Sequence, residues 1–204
     1  MKLIYKNGEE SMIYLIDNQI YKYTDEYKKE YEIMKYLNNM DSSLPIPKVY
    51  SEHSDAISPT GRIFKKLIIM EYIKPLINDV DLCNLLSNQY TKNEYTLAII
   101  DILDKIHNLG VYHCDFHSGN TILTSKGIYL IDFGYAMFKT DKDTVFCADY
   151  YDQIDYSIKY NGLSIDNFCI LSFFFGDREI VEKIDKKLWL NIPILNIKNF
   201  INNN

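Results

Sequence analysis

Between residues 113 and 134 the chain reads His113-Cys114-Asp115-Phe116-His117-Ser118-Gly119-Asn120 and then, after eleven residues, Asp132-Phe133-Gly134. Two carboxylates and an amide stand here at the ends of short apolar runs, 111–112, 121–123 and 128–131, which read as strands too short to bury anything alone. A chain with this spacing must fold so that Asp115, Asn120 and Asp132 converge at strand ends, or the polar residues serve no shared purpose. If they converge, the set suits transfer of a terminal phosphoryl group. That chemistry needs a carboxylate to accept a hydroxyl proton, and oxygen ligands to hold magnesium on the phosphates. Asp115 suits the first role, and Asn120 and Asp132 the second. A lone Asp-Phe-Gly is usually a turn after a strand. Six identities held at this spacing arise by chance about once in ten million start sites or less, at ~5% per residue type.

The composition sets the frame. A chain of 204 residues, 47% hydrophobic and 25% charged, can bury one large core or two small ones. A net charge of −6 argues against a broad nucleic-acid footprint. The four cysteines, Cys83, Cys114, Cys147 and Cys169, have neither metal-type spacing nor the density of a disulfide framework, and read as free thiols. The N-terminus turns polar too soon for a signal peptide, and the longest apolar run, 168–176, is too short to span a bilayer. A cytoplasmic location is the expectation.

Residues 3–5, 12–16 and 19–23 read as strands, with Asp17-Asn18 as a two-residue hairpin link. Asp25 is expected to cap the next helix, whose apolar stripe runs through Tyr27, Tyr31, Met34 and Leu37 or Asn38. Glu30 lies on that stripe and requires a partner, because burying an unpaired charge is costly. Lys22 on the third strand is the candidate; Glu26 and Glu32 are alternatives to Glu30 on other faces. Residues 51–62 read as a polar surface loop, and 67–73 as a buried strand. A short helix is expected over 79–88. A long amphipathic one follows, opened by a Thr91-x-x-Glu94 capping box and closed by Gly110, with Tyr95, Ile99, Ile102, Leu103 and Ile106 on one face. Helices are also expected over 150–160, 165–175 and 178–190, with Trp189 buried.

On the His-x-Asp-x-x-x-x-Asn loop and the Asp-Phe-Gly motif the sequence resembles the protein-kinase-like superfamily. The resemblance implies a two-lobed α+β fold, a small β-rich N-lobe with the hinge over 1–73 and a helical C-lobe over 74–204, together one kinase-like domain. It implies ATP and magnesium as cofactors. Asp115 is then the base, Lys22 orients the phosphates and Glu30 fixes Lys22. Gly8, Glu10 and Ser11 would form a short phosphate loop similar to that of the small kinase in the KEOPS complex. Ile13, Ile20 and Ile122 would sandwich the adenine, Met70 would back its pocket, and the backbone of Glu71 and Ile73 would bond the base.

Two loop positions depart from the common pattern. Cys114 stands where many kinases have an arginine that pairs with a phosphorylated segment, so exchange for arginine is expected to leave turnover nearly unchanged. His117 stands in place of a lysine, and Asp-x-His-x-Gly-Asn is similar to aminoglycoside, choline and lipopolysaccharide kinases. His113 reads as a scaffold. No Ala-Pro-Glu follows the expected activation segment at 135–149, and the shortened C-lobe resembles KEOPS-complex and RIO-like kinases. The expected reaction is transfer to a hydroxyl, serine or threonine of a protein in the first reading. The alternatives are a small-molecule hydroxyl, a partner-dependent ATPase, or a pseudokinase that binds without chemistry.

Overall fold

The computed structural model describes residues 1–7, 11–25, 29–141, 161–176, 178–190 and 192–202. The chain is α+β, with an antiparallel sheet in its N-terminal part and helices in its C-terminal part. Five strands make the sheet: β1 (Lys2–Asn7), β2 (Ser11–Ile16), β3 (Gln19–Thr24), β4 (Val49–Ile57) and β5 (Ile63–Glu71), in the order β1-β2-β3-β5-β4. The β2–β3 link is the tight turn expected. Asp17 and Asn18 take φ of 48° and 61°, the left-handed pair of a type I′ turn, and Ile16 faces Gln19.

Residues 51–62 are not the surface loop their polarity suggests. Most of the stretch is β4, paired with β5 from Val49↔Met70 to Ile57↔Ile63. An edge strand needs only its backbone to complete the ladder, so its side chains can stay polar, and Glu52 pairs with Lys66 across it.

Helix α1 (Glu30–Met40) packs Ile33, Met34 and Leu37 into the main core with Ile68 and Met70 of β5. It begins later than expected, and Asp25 does not cap it. The Asp25 carboxylate instead takes Arg62 at 2.9 Å and the Lys65 N–H at 3.0 Å. Tyr27 and Glu26 lie outside the described residues. Helix α2 (Asp79–Leu86) starts at an Asn78 cap, and α3 (Gln89–Asn108) at an Asn88 cap whose side chain accepts from Thr91 N–H. The capping box at Thr91 is therefore replaced by an Asx cap one turn earlier. Tyr95, Ile99, Ile102, Leu103 and Ile106 are all buried, and Gly110 follows the helix with φ +78°.

Beyond α3 come β6 (Val111–Tyr112), β7 (Thr121–Thr124), β8 (Gly127–Leu130) and β9 (Met137–Phe138); β6 pairs with β9 and β7 with β8. Helix α4 (Gly162–Phe175) closes on Gly176. The expected helix over 178–190 is divided into α5 (Arg178–Lys183) and a 3₁₀ turn at Lys186–Leu188, because Asp185 caps anew by accepting from Lys187 N–H. Trp189 is buried as expected, at 2% exposure. Helix α6 (Ile194–Asn202), not expected from sequence, sets Ile194, Ile197 and Ile201 against α3 and α4. The expected helix over 150–160 and most of the expected activation segment lie outside the described residues. Among the described residues no helix is long and apolar enough to cross a membrane.

Candidate active site

Register puts Lys22 at the centre of one sheet face. Ile13 faces Lys22 across β2–β3 and Lys22 faces Ile68 across β3–β5; one row on, Leu15, Ile20 and Met70 align. Side chains two apart on a strand share a face, so Ile13, Ile20, Lys22 and Met70 lie on one surface. That is the face α1 packs against. Glu30 in its first turn is 4% exposed, and its carboxylate meets Lys22 Nζ at 2.8 Å. Glu32, the alternative on α1, is exposed.

Lys22 Nζ also reaches Asp132 Oδ1 at 2.9 Å, joining β3 to the segment after β8 across 110 residues of chain. Burial works to lower the Lys22 pKa, but the two carboxylates outweigh it and hold the ammonium above the ordinary lysine value. It is a cation at any working pH. For Asp132 burial alone would raise the pKa; the Lys22 ammonium and the Gly134 N–H at 3.3 Å outweigh it and hold the carboxyl at about 2. This folded value lies below the unfolded 3.8, so the pair's stabilisation is present above 3.8 and lost as the pH falls to about 2. Melting temperature followed from pH 5 to pH 2 should fall more steeply for the wild type than for Asp132→Asn. Parallel curves would mean that the Lys22–Asp132 pair adds no stability.

The loop at 113–120 is held from beneath by a residue the sequence reading did not single out. Asp166, fully buried on α4, accepts the N–H groups of His113 at 2.9 Å and Cys114 at 2.8 Å, and His107 Nε2 stands 2.8 Å from the same carboxylate. The signal was present: an aspartate in the middle of the apolar run of α4 has to find partners. These bonds hold Cys114 at φ 63°, and Asp132 sits at φ 58°, left-handed positions that ordinary residues avoid.

His113, fully buried, has Nε2 3.1 Å from the Ile131 carbonyl, while its Nδ1 accepts the Asp115 N–H at 3.3 Å. The ring is therefore neutral with its proton on Nε2, and burial lowers its pKa in the same sense. It ties the 113–120 loop to the segment that leads into Asp132, as a scaffold would. Cys114 is 1% exposed, its thiol pushed up by burial and by Asp166. The expectation that arginine there would leave turnover nearly unchanged took no account of this burial. Cys114→Arg would bury an extra charge in a closed pocket and should cost about 3 kcal/mol or more, read as a lower urea midpoint with an unchanged slope.

Asn120 Nδ2 donates to the Asp115 carbonyl at 2.8 Å and to Asp115 Oδ2 at 3.0 Å. With its nitrogen so used, the Asn120 side chain has its carbonyl oxygen to offer a cation. Ile131 N–H donates to the Asn120 carbonyl at 2.9 Å, which brings the Asp132 segment alongside. Asp115, Asn120, Asp132, Lys22 and Glu30 therefore converge. Among the described residues no three His, Cys, Asp or Glu form a metal cage, so a magnesium ion here would rely on Asn120 and Asp132 plus phosphate oxygens and water.

Of the other expected residues, Ile13, Ile20 and Ile122 are half-buried, and Met70 and Ile73 are buried at 8% and 7% exposure. Glu71 ends β5 with its N–H committed to the Lys48 carbonyl at 2.8 Å. Ser11 starts β2 opposite Thr24. Gly8 and Glu10 lie outside the described residues. A cavity of about 470 Å³ opens beside Glu71, lined by Asn38, Lys48, Tyr50, Lys126 and Tyr129 among others; of the expected site residues it includes Glu71 alone.

Comparison with known proteins agrees with this geometry. Over 114 residues the chain is 25% identical to a probable serine/threonine-protein kinase, PknB, of Bifidobacterium longum (strain NCC 2705), an alignment covering 54% of this chain and 16% of that protein. The chain thus spans about one sixth of that relative. Residues 18–154 match the ABC1 atypical kinase-like domain, within the protein-kinase-like superfamily. That match takes in β3, α1, the 113–120 loop and Asp132, about two thirds of the sequence, and the chain belongs to the ABC1 atypical kinase-like family.

Proposed function

We propose that the chain is an ATP-dependent phosphotransferase that moves the γ-phosphoryl group of Mg-ATP to a hydroxyl, with serine or threonine of a protein as the acceptor. The single observation that carries this is the convergence of Lys22 Nζ on both Glu30 and Asp132, while the Asn120 amide is turned toward Asp115. Structural ion pairs are common, but a buried ammonium held charged beside an Asp–Asn pair is a ready contact for a phosphate chain.

In this reading Lys22 holds the phosphates and Glu30 keeps Lys22 extended. Ile13, Ile20, Met70, Ile73 and Ile122 bound the base, with Gly8, Glu10 and Ser11 over the phosphates. Asn120 and Asp132 supply oxygen donors for magnesium, which when bound neutralises phosphate charge. Asp115 accepts the acceptor's hydroxyl proton as the new O–P bond forms and the bond from the γ-phosphorus to the β–γ bridging oxygen breaks, releasing ADP. We read the chain as one kinase-like domain with its lobe boundary near residue 73, acting in the cytoplasm.

The test is transfer from γ-labelled ATP with magnesium, using purified protein alone, then a general protein acceptor, then a panel of small-molecule hydroxyls. Label on protein supports the reading. Label on a small molecule alone moves the acceptor class to the one suggested by Asp-x-His-x-Gly-Asn. Magnesium-dependent ATP binding without transfer leaves an ATPase or a pseudokinase.

A further inference from the structure

The cavity of about 470 Å³ beside Glu71 is set apart from the candidate active site: Lys22, Asp115, Asn120 and Asp132 do not line it. Its walls come from both parts of the chain. Asn38 near the end of α1, the 42–50 stretch that leads into β4, and Glu71 at the end of β5 form one side; Lys126 and Tyr129 of the β7–β8 hairpin form the other. The frame is tied at each joint. Leu130 N–H donates to the Pro45 carbonyl at 2.9 Å and fastens the hairpin to the 42–50 stretch. Asn38 fastens the same stretch to α1, its Nδ2 donating to the Pro47 carbonyl at 3.3 Å and its Oδ1 accepting the Val49 N–H at 3.0 Å. The Glu71 carboxylate accepts the Lys48 N–H at 3.1 Å, and in the hairpin turn Thr124 Oγ1 accepts the Lys126 N–H at 3.0 Å. A cavity framed this way stands ready before a ligand arrives, and its volume falls in the range of small-molecule sites, about 300–1,000 Å³.

The lining selects for an anion. Lys48 and Lys126 reach it from the two sides, and among the described residues neither ammonium has a carboxylate within ion-pair distance. The chain carries 28 acidic residues against 22 basic ones, so two lysines without an acidic partner in one cavity are not a consequence of scarce acids. Glu71 is the single carboxylate among the described lining residues, which leaves the lining with a net positive charge, two ammoniums against one carboxylate. Leu44 and Ile46, both buried, add apolar surface from the main core, and the exposed Tyr50 and half-buried Tyr129 add ring surface. We propose that this cavity is a second ligand site that binds a small aromatic phosphate monoester across the seam between sheet and hairpin, the phosphate between Lys48 and Lys126 and the ring against Tyr50 and Tyr129. A phosphate monoester is a dianion above about pH 6, which suits two lysines acting as point charges, and the Ser42 hydroxyl can donate to a third oxygen. The site does not depend on the phosphotransferase reading. Its occupant would touch α1, which carries Glu30, and the hairpin that begins directly after Asn120, and so join two elements that supply the candidate active site.

The test titrates phenyl phosphate, inorganic phosphate and benzyl alcohol separately into ¹⁵N-labelled protein at low salt and about pH 7.5, where the monoester is a dianion. Phenyl phosphate should bind with Kd below about 1 mM and shift the amide resonances of Lys48, Tyr50, Lys126 and Tyr129. Inorganic phosphate, which brings no ring, should bind at least about tenfold more weakly, and benzyl alcohol, which brings no charge, should not saturate. Shifts centred on Lys22 and Asp132 instead, or no saturable shift with phenyl phosphate, overturn the proposal. Equal affinity for inorganic phosphate overturns it too, because the rings then contribute nothing.

Substitutions check the assignment residue by residue. Lys48 and Lys126 are exposed, so Lys48→Ala and Lys126→Ala should leave the melting temperature near wild type. Each should weaken phenyl phosphate by about tenfold, since each removes one of two charges that hold the phosphate. Tyr50→Ala should narrow the preference for phenyl phosphate over inorganic phosphate. Wild-type affinity in both lysine variants overturns the proposal, whatever the protein does with ATP.

Discussion

Asp115→Asn is expected to reduce phosphoryl transfer by about 10²- to 10⁴-fold while leaving Mg-ATP affinity within a few-fold of wild type. The exchange is nearly isosteric, and an amide oxygen at Oδ2 could still take the Asn120 hydrogen bond now 3.0 Å long. The loop should therefore keep its shape. What disappears is the capacity to accept a proton, since an amide is not basic at any working pH. Single-turnover transfer together with an ATP-binding isotherm separates chemistry from binding. A variant within about threefold of wild type would show that Asp115 is not the base, and attention would move to the acceptor's own ionisation. A variant that binds no nucleotide would mean that Asp115 shapes the site rather than acting in it.

The largest stability effect should come from Asp166→Ala. Removal of this fully buried carboxylate orphans the N–H groups of His113 and Cys114 and strips His107 of its partner at 2.8 Å. Each buried unsatisfied donor costs roughly 1–3 kcal/mol, and together the loss should reach about 3–5 kcal/mol. For a chain of this size that is a drop in melting temperature on the order of 10 °C. The unusual φ of Cys114 should relax once its N–H is released, so activity should fall further than occupancy of the folded state explains. Asp166→Asn, which keeps one acceptor oxygen, should lose less of both. Urea unfolding with transfer measured on the folded fraction checks the two effects separately; a loss below about 1 kcal/mol for the alanine variant would mean that water replaces the carboxylate without penalty.

Legibility followed the range of the interactions involved. The Asp17-Asn18 turn was readable because a type I′ turn is decided by two residues. The buried face of α3 was readable because its period of 3.6 is local. Glu30 was readable by elimination, as a charge on an apolar stripe that had to be paired. Misreadings arose where a distant partner decided the outcome. Asp25 looks like a cap, but Arg62 and the Lys65 N–H claim it from the neighbouring strand β5 and the residue before it. Residues 51–57 look like a loop because β5, which pairs with them, imposes no apolar pattern on an edge strand. Cys114 looked replaceable because its burial against α4 is invisible from its neighbours in sequence.

The sequence by itself determined the residue types of the centre and the spacings that let them share it: His113, Asp115 and Asn120 on one loop, Asp132 a strand-and-turn later, Lys22 on a strand and Glu30 on the next helix. Those are short-range facts, carried by side-chain chemistry and by the periods of strand and helix. Only the tertiary structure decided that Lys22 would bridge Glu30 and Asp132, that Asp166 would hold the loop from below, and that the His117 ring would sit over Gly119 with its Nε2 toward Asp115. The physical reason is that a buried ion pair or hydrogen bond gains its strength from the desolvation supplied by every element around it, and that environment exists only once sheet, helices and loop have packed together.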